Sequence, residues 1–574
     1  MEKLLTLLQA LSPNNSTDAT ARGVSILGEY RFLLLPVIAG LVVLLFGYTG
    51  SSHKGKPIPG PPKLPLVGNL MQIKSPTIFK KWAREYGELY EVQFGPTQRW
   101  VFLNSPQVVK DLLEKQSAVT STRPSFLSAR IVSGDRRMVL MPYGSKWRTL
   151  RSIIHPLLTP KAASLLQPAQ EFESKQLLWD IYKSTMSTDL GKKGKDEREM
   201  SFATHVRRYS ASVVLTMVYG IRASTWESNA IAQIFELMDD FGRVANPVYC
   251  AIDVFPWLLN LPKWMHWWQK DLQQLEERQN KTWLLYWNQM KVKIDQGEAP
   301  DCFGRQFVEA GYRQKGISEL QAAYVCGTMI EAGSDTTAAT VNNGLLYLSA
   351  YPDVIAKAHE EIERVVGSSR SPTFTDQLPY VRAIVKEALR IRPATTVGGP
   401  HGADNDIEYK GYIIPKGTAL ILHQNGIHMD PEVYPEPESF QPERFLGHPL
   451  KAGDYVGISD PYKRDHWTYG TGRRICSGMH VAENSLHIVF ARILWAFKIL
   501  PPVDDNGVAL PVDLSDDSFV LGAVTMPKPY KCRFIPRNSQ VEETLVREWK
   551  AAEAEGFWLG DRKVGRDGIL ASSA

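Results

Sequence analysis

The chain has 574 residues and a formal net charge of +5, and its basic residues are spread along it, so nucleic acid is not implied as a partner. Five cysteines (Cys250, Cys302, Cys326, Cys476, Cys532) include no CxxC pair, which excludes a disulfide scaffold or a zinc site and fits a reducing compartment. Length alone suggests several domains, but no internal repeat and no long linker follows residue 65, so one large catalytic domain over 66–538 is expected.

In chain order, 1–31 reads as a luminal segment and 32–50 as a single transmembrane anchor, because Phe32 to Tyr48 is apolar and uncharged. His53, Lys54 and Lys56 behind it favour a cytosolic C-terminal side. A signal peptide is the alternative, but the segment starts late and lacks a small-residue cleavage site. Asn14 and Asn15 head two overlapping glycosylation sequons on the luminal side of that arrangement. Residues 51–65 form a stiff hinge, since Pro57, Pro59, Pro61, Pro62 and Pro65 forbid a continuing helix.

Trp147 and Arg151 stand one helical turn apart, an indole and a guanidinium donor suited to a carboxylate. From Ser201 to Gln296 the pattern is helical, interrupted at Asn246-Pro247 and from Phe255 to Trp264. Trp257, Trp264, Trp267 and Trp268, with Lys263 and Lys270, suit a membrane interface; core packing of a helix connection is the alternative.

Ser318 to Tyr351 lacks proline and predicts a long buried helix. Within it, Ala332-Gly333-Ser334-Asp335-Thr336-Thr337 is expected to open a local kink, with Met329, Gly333, Thr336 and Thr340 on one face. A carboxylate beside a hydroxyl there can bring protons and water to bound dioxygen; a Ser/Thr-rich packing face is the alternative. Glu387 and Arg390 lie three apart on one helix face, where such pairs are commonly solvated contacts of little energy. Pro442-Glu443-Arg444-Phe445 follows, then Tyr469-Gly470-Thr471-Gly472-Arg473-Arg474-Ile475-Cys476-Ser477-Gly478. In this run glycines allow close backbone approach and arginines supply positive charge, both suited to a thiolate metal ligand; a turn holding an inert thiol is the alternative. Over 539–574, Val541, Leu545 and Trp549 predict a short extra helix with a frayed tail, far too short for a flavin domain.

The hexapeptide at 332–337, Glu387-x-x-Arg390, the segment 442–445 and the run ending at Gly478 resemble, in kind and in order, the signature segments of the cytochromes P-450. The resemblance covers about 57–538, and Tyr469 departs from it by standing where the family usually has Phe. It implies the cytochrome P-450 fold, mainly α with small β-sheets, preceded by one N-terminal transmembrane helix. It further implies haem b with the Cys476 thiolate as axial ligand, favouring O–O cleavage. Proton delivery falls by resemblance to Asp335 and Thr336, haem binding to Trp147, Arg151, His401 and Arg474, and a buried proximal charge cluster to Glu387, Arg390 and Arg444. For His401 an ordinary surface histidine is the alternative. Substrate contacts implied in the same way are Phe126, Ile131, Met329, Ala332, Val397, Phe519 and Val520.

The expected function is therefore a membrane-anchored monooxygenase of the endoplasmic reticulum, single-pass with a cytosolic catalytic domain. It would act on an apolar small molecule with electrons from a separate NADPH-cytochrome P-450 reductase, cytochrome b5 being an additional donor. The style resembles filamentous-fungal members that oxidise polyketide-derived or aromatic specialised metabolites. A reductase-independent haem-thiolate isomerase or dehydratase, or a non-enzymatic haem sensor or carrier, is the alternative.

Overall fold

The computed structural model describes residues 55–64, 67–186, 202–245, 249–566 and 568–569. The sequons at Asn14 and Asn15, the expected anchor at 32–50, Pro65 and Asn246-Pro247 lie outside the described residues. No helix among the described residues is long and apolar enough to cross a membrane.

A helix over Ile78–Tyr86 (α1) leads into strands Leu89–Phe94 (β1) and Gln98–Leu103 (β2), rich in the branched and aromatic residues that fit a pleated surface. Helices follow at Leu127–Ser133 (α2), Ser145–Ile154 (α3), Gln167–Met186 (α4), Phe202–Tyr219 (α5), Asn229–Val244 (α6), Gln269–Asp295 (α7) and Phe303–Glu309 (α8). The long helix is Glu319–Ala350 (α9), opened by Ser318, whose side chain accepts from the Gln321 N–H. It ends where Tyr351-Pro352 starts the next helix, Pro352–Val365 (α10), and Pro379–Ile391 (α11) carries the Glu387–Arg390 pair.

Strands His401–Gly402 (β3), Ile407–Tyr409 (β4), Tyr412–Ile414 (β5) and Ala419–Leu422 (β6) come next. β6 returns parallel to β2, giving a four-stranded sheet in the order β1-β2-β6-β3. The helix Met479–Ala496 (α12) begins just after the cysteine loop and runs into Phe497–Leu500 (β7). Short strands Phe519–Leu521 (β8), Thr525–Pro527 (β9) and Arg533–Pro536 (β10) complete the smaller sheets. The architecture is thus mainly helical with small sheets, as expected. Two large apolar cores meet along α9: one holds α10, α11 and α12 against it, the other α3, α6 and α7.

The C-terminal segment departs from expectation. Its helix is present at Ser539–Glu555 (α13), capped by the Asn538 side chain. In place of a frayed tail, Phe557–Leu559 (β11), Arg562–Gly565 (β12) and Gly568–Ile569 (β13) form a three-stranded sheet. Phe557, Leu559 and Val564 join Trp549 in a small core against Ala169 and Phe172 of α4, which is what orders strands too short to stand alone.

Of the four tryptophans between 255 and 268, Trp268 is buried whereas Trp257, Trp264 and Trp267 are 50%, 84% and 64% exposed. Core packing therefore accounts for one of the four.

Candidate active site

Cys476 lies at the end of a tight turn whose shape depends on glycine. Gly472 has φ +60°, and a Cβ there would overlap the Leu113 carbonyl. The Cys476 N–H donates to Tyr469 O at 2.9 Å, and Arg464 Nη2 donates to Gly470 O at 2.7 Å, fixing the loop from inside. The side chain faces a cavity of about 250 Å³ and is accessible from it while enclosed by protein. Burial raises its thiol above the ordinary range; the Gly478 N–H and the Arg151 guanidinium pull the other way. The start of α12 three residues beyond adds a helix N-terminus that favours a thiolate. Tyr469 keeps the aromatic packing expected at its position, tilted against His466 at 5.4 Å, with its hydroxyl buried and unbonded among the described residues.

Three guanidiniums share the cavity with this thiol. Arg474 donates to Ser121 O and Met141 O at 2.7 Å each and lies 4.3 Å from the centre of the Trp147 ring. Arg151 donates to Ile475 O at 3.1 Å. Arg123 donates to Val139 O at 2.9 Å and to Gly399 O at 2.6 Å. None of the three has a carboxylate partner among the described residues. Burial, with Arg123 and Arg151 adding repulsion, lowers Arg474 to about 9, and burial lowers Arg123 to about 10. An uncompensated cluster of this kind matches an anionic ligand. Haem fits the donor set: Cys476 would ligate its iron, and Arg123, Arg151 and Arg474 would take its carboxylates.

Arg123 was not among the residues singled out by the sequence, although it has the same character as Arg151 and Arg474. His401 is buried on β3, with Nδ1 2.9 Å from Thr120 O; burial, then Arg123, pushes it down to about 3. It adjoins the arginine cluster and is not on the cavity wall.

Across the cavity, α9 presents Val325, Thr328, Met329, Ala332, Gly333 and Thr336. The helix runs from Glu319 to Ala350, and within it Thr336 Oγ1 donates to Ala332 O at 2.7 Å and Thr340 Oγ1 to Thr336 O at 2.9 Å, back-bonds to carbonyls one turn earlier on the same helix. Gly333 serves packing, since a Cβ there would sit 2.8 Å from Val214 of α5. Asp335 turns to Arg207, whose Nη2 is 3.1 Å from Oδ1; burial raises its carboxyl, and Arg207 offsets part of that. Of the seven substrate positions implied by resemblance, Met329 and Ala332 line the cavity. Phe126 packs edge-on to Trp100, Ile131 and Val397 join that same core, Phe519 lies 4.2 Å from the Arg392 guanidinium, and Val520 is exposed, all away from this wall.

Behind the loop, Glu387, Arg390 and Arg444 come together as expected. Arg390 grips Glu387 through two 2.7 Å bonds, and Arg444 Nε reaches Oε1 at 3.2 Å. The Gln441 N–H donates to the same oxygen at 2.8 Å, and Arg390 also donates to His428 O at 2.9 Å and Pro437 O at 2.8 Å. Glu387 and Arg390 are fully buried, so this is not the solvated surface pair that their spacing alone suggests.

A mainly helical domain with a glycine-turned cysteine, a thiol-and-arginine cavity and a hydroxyl-bearing helix opposite defines a haem-thiolate protein. Comparison with known families agrees: the model described as Cytochrome P450 matches residues 58–534, and the chain belongs to that family. Similar chains include Cytochrome P450 monooxygenase pgmC of Aspergillus terreus, 38% identical over 94% of this chain and 97% of its own length. Cytochrome P450 monooxygenase verL of Clonostachys rogersoniana is 35% identical over 93% of this chain and 97% of its own. Cytochrome P450 monooxygenase acuD of Aspergillus aculeatus is 33% identical over 90% and 96%. With relatives so named along nearly its whole length, the chain is a cytochrome P450 monooxygenase.

Proposed function

We propose that the protein inserts one oxygen atom of dioxygen into an apolar small molecule, a polyketide-derived or aromatic specialised metabolite, at the endoplasmic reticulum membrane. The carrying observation is the cavity itself, which brings Cys476 and three guanidiniums without a carboxylate partner among the described residues together with Val325, Met329 and Thr336 of α9 and with Val214 and Met217 of α5. One oxygen atom enters a C–H bond of the substrate and the other leaves as water, consuming two electrons and two protons. Haem held by Cys476 supplies the redox and dioxygen chemistry. The electrons come from NADPH through a separate cytochrome P-450 reductase, with cytochrome b5 as an additional donor.

The chain's own residues exclude water and manage protons. Apolar walls leave the substrate little hydrogen bonding, so it is held by shape and burial. The Thr336 hydroxyl on the wall hands protons inward, and Asp335 resupplies it by exchanging Arg207 for a water. Support for membrane attachment comes from the apolar run at 32–48 and from exposed Trp257, Trp264 and Trp267 beside Lys263.

NADPH consumption by the haem-loaded protein with reductase, with and without aromatic polyketide substrates, tests the reading. Substrate-dependent consumption with product carrying one added oxygen is expected, and its loss in Cys476→Ala together with the long-wavelength Soret band of the reduced CO complex. Turnover without any reductase would overturn it. Deletion of residues 1–56 should release much of the protein from membranes with the haem spectrum intact; undiminished membrane binding of that truncation and of its Trp257→Ser/Trp264→Ser/Trp267→Ser form would refute both attachments.

A further inference from the structure

Residues 136–141, between α2 and α3, are tied to the molecule in two directions. The side chain of Arg137 is fully buried and grips Glu331 of α9 through Nη1 at 2.6 Å and Nη2 at 2.8 Å. Its Nη2 also donates to Gln279 Oε1 of α7 at 3.0 Å, and the guanidinium lies 3.8 Å from the centre of the Phe241 ring of α6. Arg136 adds an ion pair to Glu276 of α7 at 3.0 Å, and its carbonyl accepts from Gln321 of α9 at 2.7 Å. One short stretch thereby joins three helices that are far apart in sequence.

The other direction runs toward the haem site. The carbonyls of Met138 and Met141 accept from Arg474 at 3.3 and 2.7 Å, and that of Val139 accepts from Arg123 at 2.9 Å. Met138 and Val139 are both lining residues of the cavity. On α9, Glu331 directly precedes Ala332, which faces the same cavity. A bulky molecule entering between this stretch and α9 must move Met138 and Val139 away from the helix, and a buried, bidentate ion pair at the next residue opposes that movement.

We propose that the Arg137–Glu331 pair is a specificity-determining latch: it holds the 136–141 strap against α9 and sets how fast bulky molecules, but not small ones, reach the haem. Arg137 and Glu331 are positioning residues acting through Met138 and Val139. A latch of this kind changes entry and exit rates together and leaves affinity nearly fixed, which distinguishes it from a contact that merely binds ligand.

The test uses the full haem-loaded chain and two nitrogen ligands of the iron, imidazole and 4-phenylimidazole, followed by stopped-flow absorbance. In Arg137→Met the entry and exit of 4-phenylimidazole should each accelerate by about tenfold, its Kd changing less than about threefold, while the imidazole rates stay at wild-type values. Glu331→Gln should behave likewise. Equal acceleration of both ligands, or unchanged rates for both, overturns the proposal. Should Arg137→Met not yield haem-loaded protein, Gln279→Leu removes one bond to Arg137 without stranding a charge. It should accelerate 4-phenylimidazole selectively by a few fold, and failure to do so also overturns the latch.

Discussion

The arginines behind the cysteine loop and those lining the cavity are enclosed alike but partnered differently. Arg390 and Arg444 share the Glu387 carboxylate and spread their remaining protons over backbone carbonyls, so a carboxylate of the chain offsets one of the two charges. Arg123, Arg151 and Arg474 have carbonyl partners without a balancing carboxylate. Burial lowers the pKa of all three, and repulsion from Arg123 and Arg151 adds to the shift at Arg474. The first set is held by a carboxylate of the chain, whereas the second has none among the described residues and suits an anionic ligand. Stability and cofactor retention should therefore be separable by mutation.

Acid gives the largest effect while the arginines of both sets stay charged, because the groups that titrate are buried histidines and carboxyls. Burial, as the largest cause in each case, pushes His401 and His423 down to about 3 and His205, His359, His466 and His487 to about 4. Their folded values lie below the unfolded 6.5, so the folded state binds fewer protons in between. Stability is then full above about pH 7 and falls as pH drops from 6.5 toward 4. Glu331, raised to about 7 by burial, runs the opposite way over pH 7 to 4.5, as do Asp180, Asp253, Asp335, Asp404 and Glu483, whose carboxyls burial also raises, so they offset part of that loss. Urea unfolding from pH 8 to 5 should show a falling midpoint; a constant one contradicts the burial of these rings.

Glu387→Leu breaks the carboxylate-held set. It leaves two guanidiniums facing each other and should cost about 3–5 kcal/mol, read as a lower urea midpoint in apoprotein and holoprotein alike. Arg151→Met probes the other set: the apoprotein should melt within a few degrees of wild type, while haem transfers to apomyoglobin about tenfold faster. If the two variants behaved alike, the distinction between the sets would collapse. The smallest effect is expected from Thr336→Ala, which touches neither set: haem content and substrate affinity hold, and product per NADPH falls severalfold with peroxide making up the difference.

Much of this division was legible in the sequence. Local patterns marked the cysteine turn, α9 and the Glu387–Arg390 spacing, because each depends on residues within a few positions of one another. What escaped depends on distant carbonyls or on packing. Arg123 sits before Pro124 in a stretch without periodicity, and the Gly399 carbonyl that holds it is 276 residues away. The Glu331 partner of Arg137 is 194 residues distant. The close fit of Gly333 against Val214 likewise joins residues 119 positions apart and carries no local signal. The β11–β13 sheet was missed because two- to four-residue strands carry almost no alternation and take their order from Phe172.

That small sheet bears on how the chain is made. Arg222, buried and paired with Glu173, also donates to the carbonyl of Arg566, 344 residues later. At roughly 5–20 residues per second, a ribosome takes on the order of tens of seconds to cover that distance. Throughout this time α4 offers Phe172 and Ala169 to solvent, bare of the strands that will cover them. Nascent chains should thus depend on chaperones at this face in particular, and a purification tag is safer at the front of the protein than fused close behind residue 569.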